Sequence, residues 1–122
     1  MKRNILQGQV YICDLNDGEG SEQCGERPCV IIQIDILNKT SKNVIIVPIT
    51  SRHKKSLPTH VELGENKYGF LKCKHNTVLC ENIRSISKER LKKYIGTIDK
   101  EDLSAILEAK EYAYIDIGLI VK

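Results

Sequence analysis

Asn43-Val44-Ile45-Ile46-Val47-Pro48-Ile49 is the stretch whose reading decides the fold. Its apolar residues occupy both alternating faces, which is the pattern of a central strand buried on two sides. Pro48 has no N–H for a ladder, so it belongs near the strand's end or at a bulge, and the chain should leave the sheet at Thr50. Working outward, runs rich in Val, Ile and Tyr read as further strands: Gln9 to Leu15 and Cys29 to Ile36 before it, Thr59 to Leu63, Thr77 to Ile83 and Tyr94 to Ile98 after it.

Beyond Ile98 the period changes. Leu103, Ile106, Leu107, Lys110, Ala113, Tyr114 and Ile117 recur at three-to-four spacing, Asp99 is placed to cap, and Glu101 and Asp102 suit the first turn of a helix. A shorter helical turn is expected from Ser87, with Leu91 pointing inward. Strands followed by one packing helix predict an α+β fold. The short, bent sheet is expected to close as an SH3-like small β-barrel with a C-terminal amphipathic helix.

The chain has 122 residues, the size of one domain, so residues 1–122 read as a single unit. Hydrophobic residues make up 41% and charged residues 29%, enough apolar surface for a core, which excludes a disordered tail. Neither a membrane span nor a secretion signal is readable, and a cytoplasmic protein is expected. The five cysteines (Cys13, Cys24, Cys29, Cys73, Cys80) follow no zinc spacing, so no metal site and no cofactor is expected. Cys13, Cys29 and Cys80 lie in apolar runs and should pack as small hydrophobes, whereas Cys24 should be exposed. Net charge is +3, from 19 Lys and Arg against 16 Asp and Glu, which by itself decides nothing about partners.

Asn16 to Arg27 reads as a long loop, with Gly18, Gly20 and Gly25 giving backbone freedom, and it ends on Arg27-Pro28. Proline biases the residue before it toward extended backbone, which aims the Arg27 side chain. No phosphate-binding P-loop, dinucleotide fingerprint, G-x-S-x-G or H-E-x-x-H is present. His53, His60 and His75 are not paired at a spacing suited to one phosphate, and alternation along Thr59-His60-Val61-Glu62-Leu63 turns His60 outward to solvent.

Five blocks stand in order along the chain: Gly20-Ser21-Glu22-Gln23-Cys24-Gly25-Glu26-Arg27-Pro28, Val30-Ile31-Ile32-Gln33, Pro48-Ile49-Thr50-Ser51, Leu57-Pro58-Thr59-His60-Val61-Glu62 and Cys80-Glu81-Asn82-Ile83-Arg84. Together they resemble the MazF/PemK toxins. The resemblance implies a dimerising barrel, a cognate antitoxin with an acidic segment that is disordered when free, and a site that cuts single-stranded RNA. It implies catalytic roles for Arg27 and Thr50, expected at exposed loop or strand-end positions, and for Glu22. RNA contacts are expected from Ser21, Gln23, Ser51, Arg52, Lys54, Lys55, Asn82 and Arg84.

The chemistry of these residues agrees. Metal-independent cleavage has the neighbouring 2′-hydroxyl attack phosphorus, which needs a proton acceptor, a donor to the leaving oxygen and positive charge on the phosphorane. A guanidinium holds two phosphate oxygens at once and stays charged, so Arg27 suits a clamp better than a shuttle. Thr50 can donate to phosphate or relay a proton. Two features depart from the family pattern: Asn82 stands where glutamine is usual, and the segment from Phe70 to Thr77 is longer. Two other functions fit the same fold class, a non-catalytic SH3-like binder of RNA or protein and a topoisomerase-poisoning toxin.

Overall fold

A computed structural model describes residues 4–16, 25–52 and 56–114. Seven strands are defined: β1 (Gln9–Asp14), β2 (Glu26–Ile31), β3 (Asn43–Thr50), β4 (His60–Leu63), β5 (Asn76–Leu79), β6 (Arg84–Ser87) and β7 (Leu91–Thr97). Two α-helices accompany them, α1 (Asp35–Thr40) and α2 (Lys100–Ala109). All pairings are antiparallel, in the order β4-β5-β3-β2-β1-β7, with β6 also beside β3.

β3 is the centre, as its composition requires. Val44, Ile46 and Pro48 alternate with Ile45, Val47 and Ile49, and the two sets serve two cores. Val47 and Ile49 join Val10, Val30, Ile32, Leu63 and Val78 in one buried cluster. Val44 and Ile46 join Tyr11, Cys13, Leu15, Cys29, Ile31 and Ile86 in another on the opposite face. Ile106 and Ala109 of α2 seal the first cluster, with Leu103 and Leu107 packed at its edge. Cys13, Cys29 and Cys80 are buried as small hydrophobes, and burial pushes the Cys80 thiol up to about 12, with the Glu81 charge adding to it. Cys24 lies outside the described residues.

The expected closure into a barrel is not what the strands do. Among the described residues β4 and β7 end the sheet and do not pair with each other, so the sheet is bent but open. The α2 helix packs against β4, and its N-terminus is pinned to the segment after β4 by Tyr68, whose Oη donates to Asp102 Oδ2 at 2.6 Å, and by Lys67, 2.7 Å from Asp99 and 2.9 Å from Asp102. Asp99 caps the helix as its sequence position indicates, accepting from the Asp102 amide at 2.8 Å. The helix is shorter than its pattern: it gives way to a 3-10 turn at Lys110–Ala113, Tyr114 is exposed, and Ile117 lies outside the described residues.

Three strand boundaries differ from the sequence reading, each for a physical reason. The run Cys29 to Ile36 stops at Ile31, because the buried side chains of Gln33 and Asn38 bond each other and turn the chain into α1, leaving Ile34 and Ile36 exposed. The run Thr77 to Ile83 is interrupted at Cys80–Asn82 by a 3-10 turn, so that β5 pairs with the end of β3 and β6 with its beginning. Val78 pairs with Ile49 and Arg84 with Ile46, so Pro48 falls where the neighbouring strand is interrupted. β7 begins at Leu91, three residues before the Tyr94 start expected from sequence. The helical turn expected from Ser87 is a 3-10 turn at Lys88–Arg90, with Ser87 Oγ accepting from the Glu89 amide.

Candidate functional site

The site forms where β2 begins and β3 ends. Cys29 pairs with Pro48, and antiparallel neighbours two residues apart share a face, so Arg27 and Thr50 point to the same side of adjacent strands. The β2–β3 pairing runs to Cys29–Pro48, two residues short of Arg27 and of Thr50. Arg84 joins that face from β6, since it pairs with Ile46, and its Nη1 donates to the Leu15 carbonyl at 3.4 Å.

Thr50 is not exposed: it is 1% accessible, and its Oγ1 accepts the Arg52 amide at 3.2 Å. That bond fixes the position of the oxygen. Arg27 is half-buried. Beneath them the Cys29 thiol is held well above its usual range by its hydrogen bond with Cys13 and by burial, against a downward pull from the charges of Arg84 and Arg27. Cys29 is therefore a neutral floor to the site.

Two clefts flank this strand end. One, of about 490 Å³, runs from Glu26, Arg27 and Pro28 across Ile12 to Lys92, Lys93 and Ile95 of β7, and is walled by Phe70, Leu71, Lys72 and Cys73. The other, of about 400 Å³, holds Arg52, Glu62 and His75. Ser51 and Asn76 line both.

Arg27 and Ser51 line the first cleft and Ser51 and Arg52 the second, while the buried Thr50 lines neither. Asn82 and Arg84 line neither cleft; Asn82 sits in the 3-10 turn after β5 and not in the strand expected there. Ser21, Glu22, Gln23, Lys54 and Lys55 lie outside the described residues. Among the described residues no three His, Cys, Asp or Glu side chains converge as a metal ion requires. Lys72, Asn76, Lys92 and Lys93 were missed by sequence reading, and only the Lys92-Lys93 pair carried a signal, a doublet just ahead of a strand.

His60 also departs from its reading. Its side chain is 4% exposed, with Nε2 2.9 Å from Glu81 Oε2, and Thr59 Oγ1 donates to Glu81 Oε1 at 3.0 Å. Burial raises the Glu81 carboxyl, but its own backbone amide, His60 and Thr59 outweigh that and leave it below the usual range. The triplet ties the start of β4 to the turn that presents Asn82.

An open, bent antiparallel sheet carrying one helix after its last strand is the class of small α+β protein that this fold defines. Residues 6–110 match the PemK-like, MazF-like toxins of type II toxin-antitoxin systems, and the chain belongs to that family. Endoribonuclease EndoA of Bacillus subtilis (strain 168) is 42% identical over 117 residues, covering 95% of this chain and 97% of that protein. An endoribonuclease in complex with its cognate antitoxin, from a mycobacterial species, superposes with TM-score 0.72 at 28% identity over 94% of this chain and 96% of that one. The MazF crystal structure from Deinococcus radiodurans, 20% identical, shares the fold with TM-score 0.77 over 93% of this chain and 98% of that one.

Proposed function

We propose that this chain is the toxin of a type II toxin-antitoxin system, an endoribonuclease that cuts single-stranded RNA without a metal and so arrests translation and growth. What supports the reading is that Arg27 and Thr50 stand at the adjoining ends of two paired strands, each two residues beyond the Cys29–Pro48 pair. Arg27 clamps the non-bridging oxygens of the scissile phosphate, and Thr50, its oxygen fixed by the Arg52 amide, donates its proton to the same phosphate as charge builds. Attack by the adjacent 2′-hydroxyl, which gives its proton to a general base, then expels the 5′-oxygen, which takes up a proton from a general acid, and leaves a 2′,3′-cyclic phosphate. Glu22 shares in proton transfer, Ser21, Gln23, Ser51, Arg52, Lys54 and Lys55 hold the strand, and Asn82 and Arg84 take part in its recognition.

The partners follow from the same reading: a homodimer in the cytoplasm, silenced by an antitoxin whose acidic segment orders as it covers the basic face. The test is digestion of a long RNA in EDTA. Discrete fragments ending in cyclic phosphate are expected, and intact RNA sinks the reading in favour of a non-catalytic binder. A supercoiling assay with a topoisomerase run beside it is expected to show no inhibition; inhibition with intact RNA indicates a topoisomerase poison instead.

A further inference from the structure

The cleft against Arg27 is more basic than a catalytic pair requires. Lys72, Lys92 and Lys93 stand on its rim against one carboxylate, Glu26. All three lysines are exposed. Lys67, Lys74 and Lys110 are ion-paired to carboxylates, whereas among the described residues Lys72, Lys92 and Lys93 are not.

Their placement is built into the sheet. Ile12 of β1 pairs with Pro28 on one side and Lys93 on the other, so these three residues share a face across adjacent strands. With strands about 4.8 Å apart, the Lys93 backbone lies roughly 10 Å from that of Pro28; Arg27, one residue earlier, alternates to the other face of the strand but also lines the cleft. The β1–β7 register slips between Ile12 and Cys13, and Lys92 is the residue left over, which sets two lysines together on the rim.

The opposite wall is the long segment after Phe70, and it is held in place. The Asn66 amide donates to the Lys74 carbonyl at 3.0 Å, Asn76 Nδ2 donates to the Cys73 carbonyl at 2.8 Å, and Lys74 is 2.9 Å from Glu65. Lys74 is thereby tied outward, while Lys72 and Cys73 face the cleft. The second cleft continues the groove past Ser51 to Arg52 and His75. Cations at both ends of a groove that passes Arg27 and Ser51 suit an extended polyanion, and Ile12, Ile49 and Ile95 with the Phe70 wall offer apolar surface to sugars and bases.

We infer that Lys72, Lys92 and Lys93 form a phosphate-binding station for the RNA flanking the cut, lengthening the stretch this enzyme grips along β7. The inference rests on the RNA-cleaving reading. Such contacts position the strand without reading its sequence.

The test uses a fluorescein-labelled single-stranded RNA bound by Thr50→Ala protein, with affinity followed by anisotropy across salt concentrations. For single strands each lost phosphate contact removes about 0.7 from the slope of log affinity against log salt, so Lys92→Gln/Lys93→Gln should flatten the slope by about 1.4 and Lys72→Gln by a further 0.7 or so. In the cutting-competent background the same variants should raise KM several-fold with little change in kcat. Lys92→Arg/Lys93→Arg should restore the slope, and Lys39→Gln/Lys42→Gln, of equal charge at the far end of β2, should not flatten it. Cys73 gives an independent readout: in a Cys24→Ser background, bound RNA should slow its reaction with a maleimide. If wild-type protein cuts RNA in EDTA while the lysine variants, folded by circular dichroism, keep slope and KM, the inference alone falls and the cleft belongs to an acidic protein partner. If wild-type protein leaves RNA intact, the functional reading falls and takes the inference with it.

Discussion

At Thr50 a single hydroxyl is held by the amide two residues on, in a side chain that solvent does not reach. Thr50→Val nearly keeps the volume but removes the oxygen and the acceptor of the Arg52 amide, so kcat is read beside the stability of the same variant. Loss of one transition-state donor costs about 10²- to 10³-fold in rate, and that loss in kcat is expected for Thr50→Val and for Arg27→Ala, with Thr50→Ser retaining most activity. Cleavage unchanged in either deleting variant removes that residue from the mechanism. Asn82 keeps glutamine's amide on a shorter stem, so Asn82→Gln should change which RNA words are cut, or their ranking, with far less effect on the best substrate than Arg27→Ala. Cut sites mapped across a transcript pool decide this, and identical ranked lists exclude Asn82 from recognition. Glu81 makes a pH prediction. A carboxyl lowered in the fold stabilises it above the ordinary glutamate range, and that contribution fades as pH falls through the folded-state value. Glu81→Gln should therefore melt a few degrees below wild type at neutral pH, and the gap should close below about pH 4. A gap that persists in acid would show that the amide fails for reasons other than charge.

Among the elements, β7 carries the clearest packing constraint. A Cβ at Gly96 would come within 2.1 Å of the Phe70 ring, which also tilts against Tyr68 with centroids 5.3 Å apart. Gly96→Ala should cost about 1–3 kcal/mol by overpacking, and Phe70→Leu in the same chain should recover part of it, measured by chemical denaturation. Simple addition of the two losses would break the proposed contact. The same strand shows what sequence could and could not convey. β1 and β3 were legible because apolar side chains fill both faces without interruption. The first residues of β7 were not, since Lys92 and Lys93 lie on a sheet edge where charge carries no penalty and so no pattern. The break at Cys80–Asn82 was hidden in an apolar run, because interruption there depends on which half of β3 each side meets. In the site, Arg27 and Thr50 were marked by their motifs, but their adjacency is a matter of register. The lysine rim draws on separate elements, and no local window contains it.

Across the whole molecule the sheet holds two cores back to back, and β3 alone has three strand neighbours: β2 along one edge, β5 and β6 in succession along the other. That arrangement bears on how the chain reaches its fold. β5 lies far along the sequence from β3, so its docking closes a long loop before any ladder bond rewards it. A nucleus must then form around residues 43–50, while α2 can settle late on a surface already made. Val47→Ala should accordingly slow refolding, and Ile106→Ala, destabilising by about 2–5 kcal/mol, should act mainly by hastening unfolding, as read from the two arms of a stopped-flow denaturant series. The reverse partition would make the helix the seed. With β3 as the seed, one hydrophobic octapeptide sets the pace at which a growth-arresting enzyme becomes active after its synthesis.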